Sequence, residues 1–329
     1  MALRLIEMVV KDQDAEDIHN LIKKEKILEH RSLQLSNGEV LVRILLDAVQ
    51  NEEVLDLLEK KYSETAGNRI VILPVEATLP RNSDEAANTT EQKSPRRISR
   101  EELYEDIKNL ARCSLVYLAL IVLSTIVAAV GLHDNSGAII IGAMVIAPML
   151  GPSIALALGT TLGDLTLLKR AILTGLAGIT TVIILSTIIG SIVEVNPSLP
   201  EMASRTHVGL GHIAVALAAG SAGALSFTTG VSASLIGVMV SVALLPPLVA
   251  CGLLFGAGYD VLGLGALFLF LMNLVCVNLA GVAMFLAQGI RPLSWWDKDR
   301  ATKATLIAIG LWLVTLASLI TLILLLNNS

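Results

Sequence analysis

The sequence predicts an α-helical polytopic membrane protein with an α+β domain at its N-terminus. The chain of 329 residues is 54% hydrophobic and only 16% charged, which is more apolar than a soluble domain of this length needs to be. The charge is also uneven, because residues 1–112 hold 39 of the 53 charged residues. A soluble segment is therefore followed by a membrane segment.

The soluble segment, residues 1–80, is predicted to be a cytoplasmic ferredoxin-like domain. Strands are predicted at 3–10, 27–35, 40–46 and 70–75, and helices at 13–25 and from Asn51 onward. Asn37-Gly38 between two strand-like runs is a strong hairpin signal. The resulting order β-α-β-β-α-β is that of the ferredoxin-like fold, which can bind ligands or serve only packing and assembly. His19 and His30 are interpreted as lone, solvated histidines.

Two segments connect this domain to the membrane. Residues 81–98 lack periodic apolar residues and are interpreted as a flexible linker. The pattern Ser99-x-x-Glu102 is a capping box and begins an amphipathic helix at 99–111. This helix lies on the cytoplasmic face of the membrane or stands as a solvated stalk.

The rest of the chain contains seven apolar stretches of roughly the 20 residues that a membrane span needs. They lie at 113–132, 137–158, 167–193, 208–227, 231–256, 261–287 and 304–326. The fourth is the weakest, because small residues replace strongly apolar ones, and a re-entrant hairpin is the alternative there. We divide this part into a membrane domain, 112–288, and a cytoplasmic loop with the seventh span, 289–329.

The positions of Lys and Arg predict the orientation. They cluster before span one, between spans two and three, and between spans six and seven, whereas the opposite loops contain only Arg205. Because Lys and Arg concentrate on the cytoplasmic side, the N-terminus is predicted to be cytoplasmic and the C-terminus outside. No signal-peptide pattern precedes the soluble segment. The expected location is a bacterial inner (plasma) membrane.

The membrane domain contains an internal repeat. Residues 137–152 recur at 232–247 with seven of sixteen positions identical. The same displacement relates 112–193 to 207–288, which are units of three spans each. Since three is odd, the second unit enters from the opposite side, which predicts a 3+3 inverted repeat plus one span.

Prolines interrupt the repeated segment in both units. A break in a membrane helix leaves backbone groups unpaired unless protein or water satisfies them, and paired breaks in inverted repeats mark transporter sites. A kink that only shapes packing is the alternative. The candidate substrate-path residues are Gly142, Met144, Pro148, Gly151, Pro152, Ser153, Gly237, Met239, Ser241, Pro246, Pro247, Asn273 and Asn278.

Several classes of function are excluded by the sequence. The near-balanced net charge of −5 argues against nucleic acid as a partner. No catalytic motif, metal-ligand spacing or cofactor motif is present, and no acidic residue lies at the centre of a span. We therefore expect no catalytic residues, no metal, no cofactor and no enzymatic activity.

The two proline segments resemble a known family. Ile-Gly-Ala-Met-Val-Ile-Ala-Pro-Met-Leu-Gly-Pro at 141–152 and Ser-x-x-Gly-Val-Met-Val-Ser-Val-Ala-Leu-Leu-Pro-Pro at 234–247 are similar to segments of the bacterial uncharacterised hydrophobic-domain membrane proteins, domain of unknown function 389. The resemblance covers roughly residues 110–290. It implies a membrane protein and no particular activity.

Together these observations predict a transporter or channel for a small polar or anionic solute, with a cytoplasmic regulatory or assembly domain. The expected partners are the lipid bilayer, a small solute or ion, and further copies of the chain in a homo-oligomer. The alternative is a membrane-anchored sensor or scaffold whose soluble domain binds a ligand or partner without transport.

Overall fold

The structure is a computed structural model. It describes residues 3–22, 27–35, 38–47, 51–62, 70–75, 100–229 and 233–290, together with Gly310, Val314 and Ala317. The predicted linker at 81–98 lies outside the described residues, as does the predicted seventh span apart from the three isolated positions. The chain divides into two compact units, with the division near Leu103.

The first unit contains four strands and two helices. These are β1 Leu3–Lys11, α1 Asp12–Ile22, β2 Glu29–Gln34, β3 Glu39–Asp47, α2 Asn51–Tyr62 and β4 Ile70–Val75, in the order that the sequence predicts. The sheet order is β2-β3-β1-β4, and every pair of neighbours is antiparallel. Gly38 has a φ of 79°, as the predicted Asn-Gly hairpin requires.

The core of this unit lies on one face of the sheet. Side chains alternate along β1, so that Ile6 and Met8 are buried while their neighbours are only partly covered. Ile18 of α1 and Leu58 of α2 belong to the same buried cluster. The helices therefore cover one face of the sheet, as a period of two in the strand and an apolar stripe in each helix dictate.

The remaining helices from residue 115 onward are apolar, except for the short helix Pro200–Ala203. The helices after α2 are α3 Arg100–Leu110, α4 Leu115–His133, α5 Gly137–Ile146, α6 Leu150–Leu162, α7 Leu165–Ile192, α8 Pro200–Ala203, α9 Leu210–Thr229, α10 Ala233–Gly256 and α11 Asp260–Ala287. Of these, α4, α7, α9 and α11 are long and apolar enough to cross a membrane, and α5 with α6 is a fifth candidate if the bent pair counts as one span. The chain is therefore a membrane protein.

Helices α4 and α7 run in the same direction. Near the start of α4, the hydroxyl of Tyr117 donates to the carbonyl of Thr174 in α7 at 3.2 Å. Toward the far ends of both helices, Leu132 and Ile189 line one small pocket. Contacts that rise in residue number along both helices mean parallel directions.

Helices α7 and α10 are also parallel. Ser186 contacts Gly252, and one turn further along both helices Ser191 contacts Gly256. Since α5–α6 is joined to α7 by the short turn at Gly163 and Asp164, it runs against α7. Consequently α10 runs opposite to α5–α6.

Helices α9 and α11 complete the alternation. Thr206, just before α9, contacts Gly265, and Gly220 of α9 contacts Val277 further along α11. These two helices are therefore parallel to each other, and the turn at Gly258 reverses the chain between α10 and α11. Thus α4, α7 and α10 run one way, and α5–α6, α9 and α11 run the other.

The helix bounds repeat at the displacement found in the sequence. Both bounds of α7, moved by 95 residues, fall on the bounds of α11. Gly163 and Gly258 stand at the same displacement, and their φ angles are 67° and 81°. Glycine takes this left-handed conformation without steric penalty and commonly ends a helix. A glycine with positive φ therefore precedes α7 and α11 alike, at the turn where the chain reverses.

One expected break is absent. The prolines of the second repeat, Pro246 and Pro247, lie inside the continuous helix α10, so the prediction that they interrupt it is wrong. Proline has no N–H to donate to the carbonyl four residues earlier, which for Pro247 is that of Ala243. The side-chain amide of Asn273 in α11 donates to this carbonyl at 2.8 Å, and the helix therefore continues without losing that hydrogen bond.

Close approach of α7 and α10 depends on glycine, which yields a stability prediction. A methyl group built on Gly190 would overlap the carbonyl oxygen of Leu253, whereas one built on Gly142 would meet nothing within 4 Å. We expect Gly190→Ala to lower the unfolding free energy by about 1–3 kcal/mol, the usual cost of overpacking. Gly142→Ala should leave stability unchanged or raise it, because alanine is the better helix former.

Two buried cysteines allow the stability of the two glycine variants to be compared. Cys251 and Cys276 are buried free thiols, whereas Cys113 is exposed. In a Cys113→Ser background, a thiol-reactive dye in detergent labels Cys251 and Cys276 only when the second unit unfolds. The temperature at which half of these thiols are labelled is therefore the thermal midpoint of that unit. Equal midpoints for the two glycine variants would contradict the packing assignment.

Candidate functional site

The candidate site is centred on the break between α5 and α6. Helix α5 ends at Ile146, Ala147 takes an extended conformation with φ −69° and ψ 120°, and α6 begins at Leu150 after a bend of 57°. Pro148 lies in this break and has no N–H. This confirms the interruption that the sequence predicts in the first repeat. Helix α5 has 10 residues and α6 has 13, so the break lies near the middle of the bent pair.

Two hydroxyl groups satisfy carbonyl groups at the break. The buried hydroxyl of Ser241 in α10 donates to the carbonyl of Ala147 at 3.2 Å. On the other side of the break, Ser153 of α6 donates to the carbonyl of Met149 at 3.0 Å. An unpaired backbone group in hydrocarbon costs several kcal/mol, so these hydroxyls stabilise the bent conformation. Ser241 does so from the second repeat.

Two asparagines of α11 are buried among the helices, together with several Ser and Thr side chains. Asn273 is 3% exposed and Asn278 is fully buried. Each amide nitrogen has a partner at 2.8 Å, the carbonyl of Ala243 for Asn273 and that of Leu274 for Asn278. These acceptors fix which end of each amide is nitrogen. Both Oδ1 atoms lack a hydrogen-bond partner among the residues that the structure describes.

Asn278 differs from Asn273 in what its amide does for the backbone. Leu274 lies four residues before Asn278 in the same continuous helix, so the backbone N–H of Asn278 already serves that carbonyl. Asn273, in contrast, supplies a hydrogen bond that Pro247 cannot make. Packing and backbone pairing therefore explain Asn273 and leave Asn278 unexplained.

The other predicted path residues occupy different environments. In the first repeat, Met144, Gly151 and Pro152 are buried, Pro148 is half-buried, and Gly142 lies on the exposed face of α5. In the second repeat, Pro246 and Pro247 are buried, and for Gly237 and Met239 the structure describes only the helical backbone. The predicted set is thus divided between the interior and the outer surface of the unit.

Gly151 and Ser241 illustrate two different roles within that set. Gly151 packs against the backbone carbonyl of Leu110, the last residue of α3. A Cβ atom at position 151 would overlap this carbonyl oxygen. Its contribution is close packing. Ser241, in contrast, joins the second repeat to the break in the first. The assignment of all thirteen residues to a solute path stays a prediction.

A polar contact at the turn between α6 and α7 was missed from the sequence. The hydroxyl of Tyr104 in α3 donates to Asp164 Oδ2 at 2.6 Å, and Asp164 Oδ1 accepts from the backbone N–H of Thr166 at 2.8 Å and that of Leu167 at 3.1 Å. Burial and the neighbouring Asp164 carboxylate raise the pKa of Tyr104, so the phenol stays protonated and remains a donor. Asp164 before an apolar run was the available signal, because Asp is a preferred N-cap.

A second missed cluster lies in the loop between α7 and α9. Glu201 pairs with Arg205 at 3.0 Å, and the backbone N–H of Glu201 donates to Asn135 Oδ1 at 3.0 Å. The loop is thereby attached to the turn between α4 and α5. The sequence did offer one indication, because Arg205 is the one Lys or Arg in the loops predicted to lie outside. Its partner was not evident from sequence spacing.

Comparisons with known proteins agree with the resemblance seen in the two proline segments. A family model described as domain of unknown function DUF389 matches residues 144–279, a stretch that includes the break, Ser241 and both asparagines. An uncharacterised protein of Methanocaldococcus jannaschii is 39% identical over 289 residues, which cover 88% of this chain and 89% of that protein. No solved structure matches.

The relative also widens the expected source of the family. The sequence resemblance was to bacterial proteins, whereas Methanocaldococcus jannaschii is an archaeon, so the family is not confined to bacteria. The match covers 88% of this chain and 89% of that protein and therefore includes at least part of the first unit as well as the apolar helices. This chain belongs to the family of membrane proteins that contain domain of unknown function DUF389.

Proposed function

We propose that this protein is an integral membrane transporter or channel for a small polar or anionic solute. The observation that carries the proposal is the broken helix α5–α6, whose Ala147 carbonyl is bonded by Ser241 of the other repeat. A straight helix would satisfy its backbone without help. A break in the middle of the layer brings carbonyl groups and hydroxyls to the interface of two halves, where a solute site is expected.

An inverted repeat is part of the same proposal. The alternating helix directions and the displacement of 95 residues support it. The crossing of α6 and α11 at Ala157 and Gly281 and the crossing of α10 and α7 at Gly252 and Ser186 stand at this displacement as well. Repeat units that share their helix bounds and their crossings are what a two-fold relation in the membrane plane produces.

The contact at the break supports the same symmetry. Ser241 is the repeat equivalent of Ile146, the residue directly before Ala147. Residues that are equivalent under a two-fold axis meet only where they lie near that axis. The axis would therefore pass between the break and α10, which is where transporters with inverted repeats hold their substrate.

The chemistry of the interior narrows the solute class within the proposal. Among the described residues, the Oδ1 atoms of Asn273 and Asn278 have no hydrogen-bond partner, and amide oxygens accept hydrogen bonds and carry partial negative charge. Within the proposed class, they favour a polar solute that donates hydrogen bonds over a simple anion. No catalytic activity is part of the proposal.

Orientation and assembly complete the proposal. The positive-inside rule, applied to Arg112 before α4 and to Lys169 and Arg170 in the first turns of α7, supports a cytoplasmic N-terminal unit in a prokaryotic plasma membrane. The β-α-β-β-α-β order and the strand order of that unit support a ferredoxin-like domain that regulates or assembles the membrane part. A homo-oligomer and an outside C-terminus after a seventh span are expected.

The orientation of α9 is the first test. In a chain that lacks the three native cysteines, Thr229→Cys should be labelled by a small membrane-impermeant thiol reagent from the cytoplasmic side only. His207→Cys, an exposed position before α9, should be labelled from outside only, because α9 is expected to cross the layer between them.

The reagent is applied to intact cells, where it reaches the outer side, and to inside-out vesicles, where it reaches the cytoplasmic side. Labelling of both positions from one side would mean that α9 does not cross. The two halves would then not be inverted, and the transport proposal would lose its main support.

The two asparagines allow a test that separates solute binding from stability. Asn278→Leu removes a buried acceptor that has no partner among the described residues, so stability should be unchanged or higher. Asn273→Leu leaves the Ala243 carbonyl unpaired and should lower stability by about 1–3 kcal/mol. If Asn278 contacts the solute, Asn278→Leu should still reduce transport.

Transport is measured with purified protein in liposomes against a panel of small cations, ammonium compounds, polar neutral solutes and anions. Ser191→Ala, an exposed hydroxyl on α7 that bonds its own helix, is the matched control and should transport like wild type. If liposomes that contain the wild-type protein take up no member of the panel, the proposal of transport is contradicted. Flux that survives Asn278→Leu would remove only Asn278 from the path.

A further inference from the structure

Two histidines of the first unit meet at the edge of its sheet. His19 lies in the last turn of α1, and His30 lies in the outermost strand β2. Their Nδ1 atoms are 3.4 Å apart, with ring centroids at 5.1 Å and ring planes tilted by 44°. The two histidines are therefore not lone, although His19 is exposed to solvent as expected.

The fold explains why they meet. His30 is paired with Ile44 of β3, and paired residues of antiparallel strands point to the same face. Ile44 is fully buried in the core between the sheet and the helices, so His30 points to the side that α1 covers. His19 follows the buried Ile18 and lies at the flank of α1, above the edge of the sheet.

The distance between the two nitrogen atoms is informative. A hydrogen bond from nitrogen normally spans 2.7–3.2 Å, so 3.4 Å is long for an Nδ1–H···Nδ1 bond. Two zinc–nitrogen bonds of about 2.0–2.1 Å that meet at a tetrahedral angle hold their nitrogens about 3.4 Å apart. The pair has the separation of one edge of a tetrahedral metal site.

We propose that His19 and His30 form a binding site for a divalent transition-metal ion of the zinc type, with Nδ1 of each ring as a ligand. Imidazole suits zinc, nickel and copper, whereas magnesium and calcium require oxygen ligands. Within the described part of the chain, no group of three or more His, Cys, Asp or Glu residues could hold a metal. In this proposal, water fills the remaining coordination positions.

Both histidines belong to the first unit, so the proposed metal site does not depend on the proposed transport function.

Binding is tested on the full-length chain, purified in detergent without a polyhistidine tag and in a Cys113→Ser background that removes an exposed thiol. Isothermal titration with zinc chloride should give one site per chain. His19→Ala and His30→Ala should each weaken zinc binding at least about tenfold, because even the outer-shell partners of a metal site contribute that much. Magnesium chloride should give no binding at this site.

His207→Ala is the matched control, because His207 is exposed and lies outside the first unit; it should bind zinc like the parent chain. His19 is exposed as well, so His19→Ala is expected to fold, and circular dichroism of each variant checks this. A parent chain that binds no zinc, or zinc binding that persists in His19→Ala, would overturn the proposal. A folded His19→Ala that loses zinc binding supports it.

Discussion

Every backbone carbonyl in the hydrocarbon layer needs a donor, and the membrane unit is arranged around that requirement. The break after α5 frees the carbonyl of Ala147, and Pro247 frees that of Ala243. The first is bonded by Ser241 and the second by Asn273. Both donors come from other helices. The requirement thereby links α5–α6 to α10 and α10 to α11, and it specifies which helices must be neighbours.

Glycine makes these neighbours possible. Lipid chains are as apolar as leucine, so membrane helices associate through close packing and polar contacts. Where α7 crosses α10, a side chain at Gly190 or Gly252 would overlap the facing helix, and Gly220 has the same role between α9 and α11. Such close contact leaves little room for helices to shift independently. The hydrogen bonds at the break and the glycine crossings therefore act together.

Local pattern predicted the elements well, and long-range contacts decided the rest. The six elements of the first unit and the break at Pro148 follow from periodicity, the Asn-Gly turn and proline chemistry. The same reasoning predicted a break at Pro246 and Pro247 that is absent, and the donor that replaces the N–H of Pro247 is Asn273, thirty residues from the Ala243 carbonyl. The meeting of His19 with His30 and of Tyr104 with Asp164 depends likewise on packing between elements, which no local spacing contains.

The polar interior is partly a consequence of backbone pairing. Ser241 and Asn273 are there because carbonyl groups need donors, and each brings an oxygen into the interior in doing so. Asn278 has no such reason, since its amide bonds a carbonyl that the helix already serves. A buried amide oxygen without a partner among the described residues costs about 1–3 kcal/mol. Asn278 is therefore a deep amide that backbone pairing does not explain, and contact with a solute is the role that we propose for it.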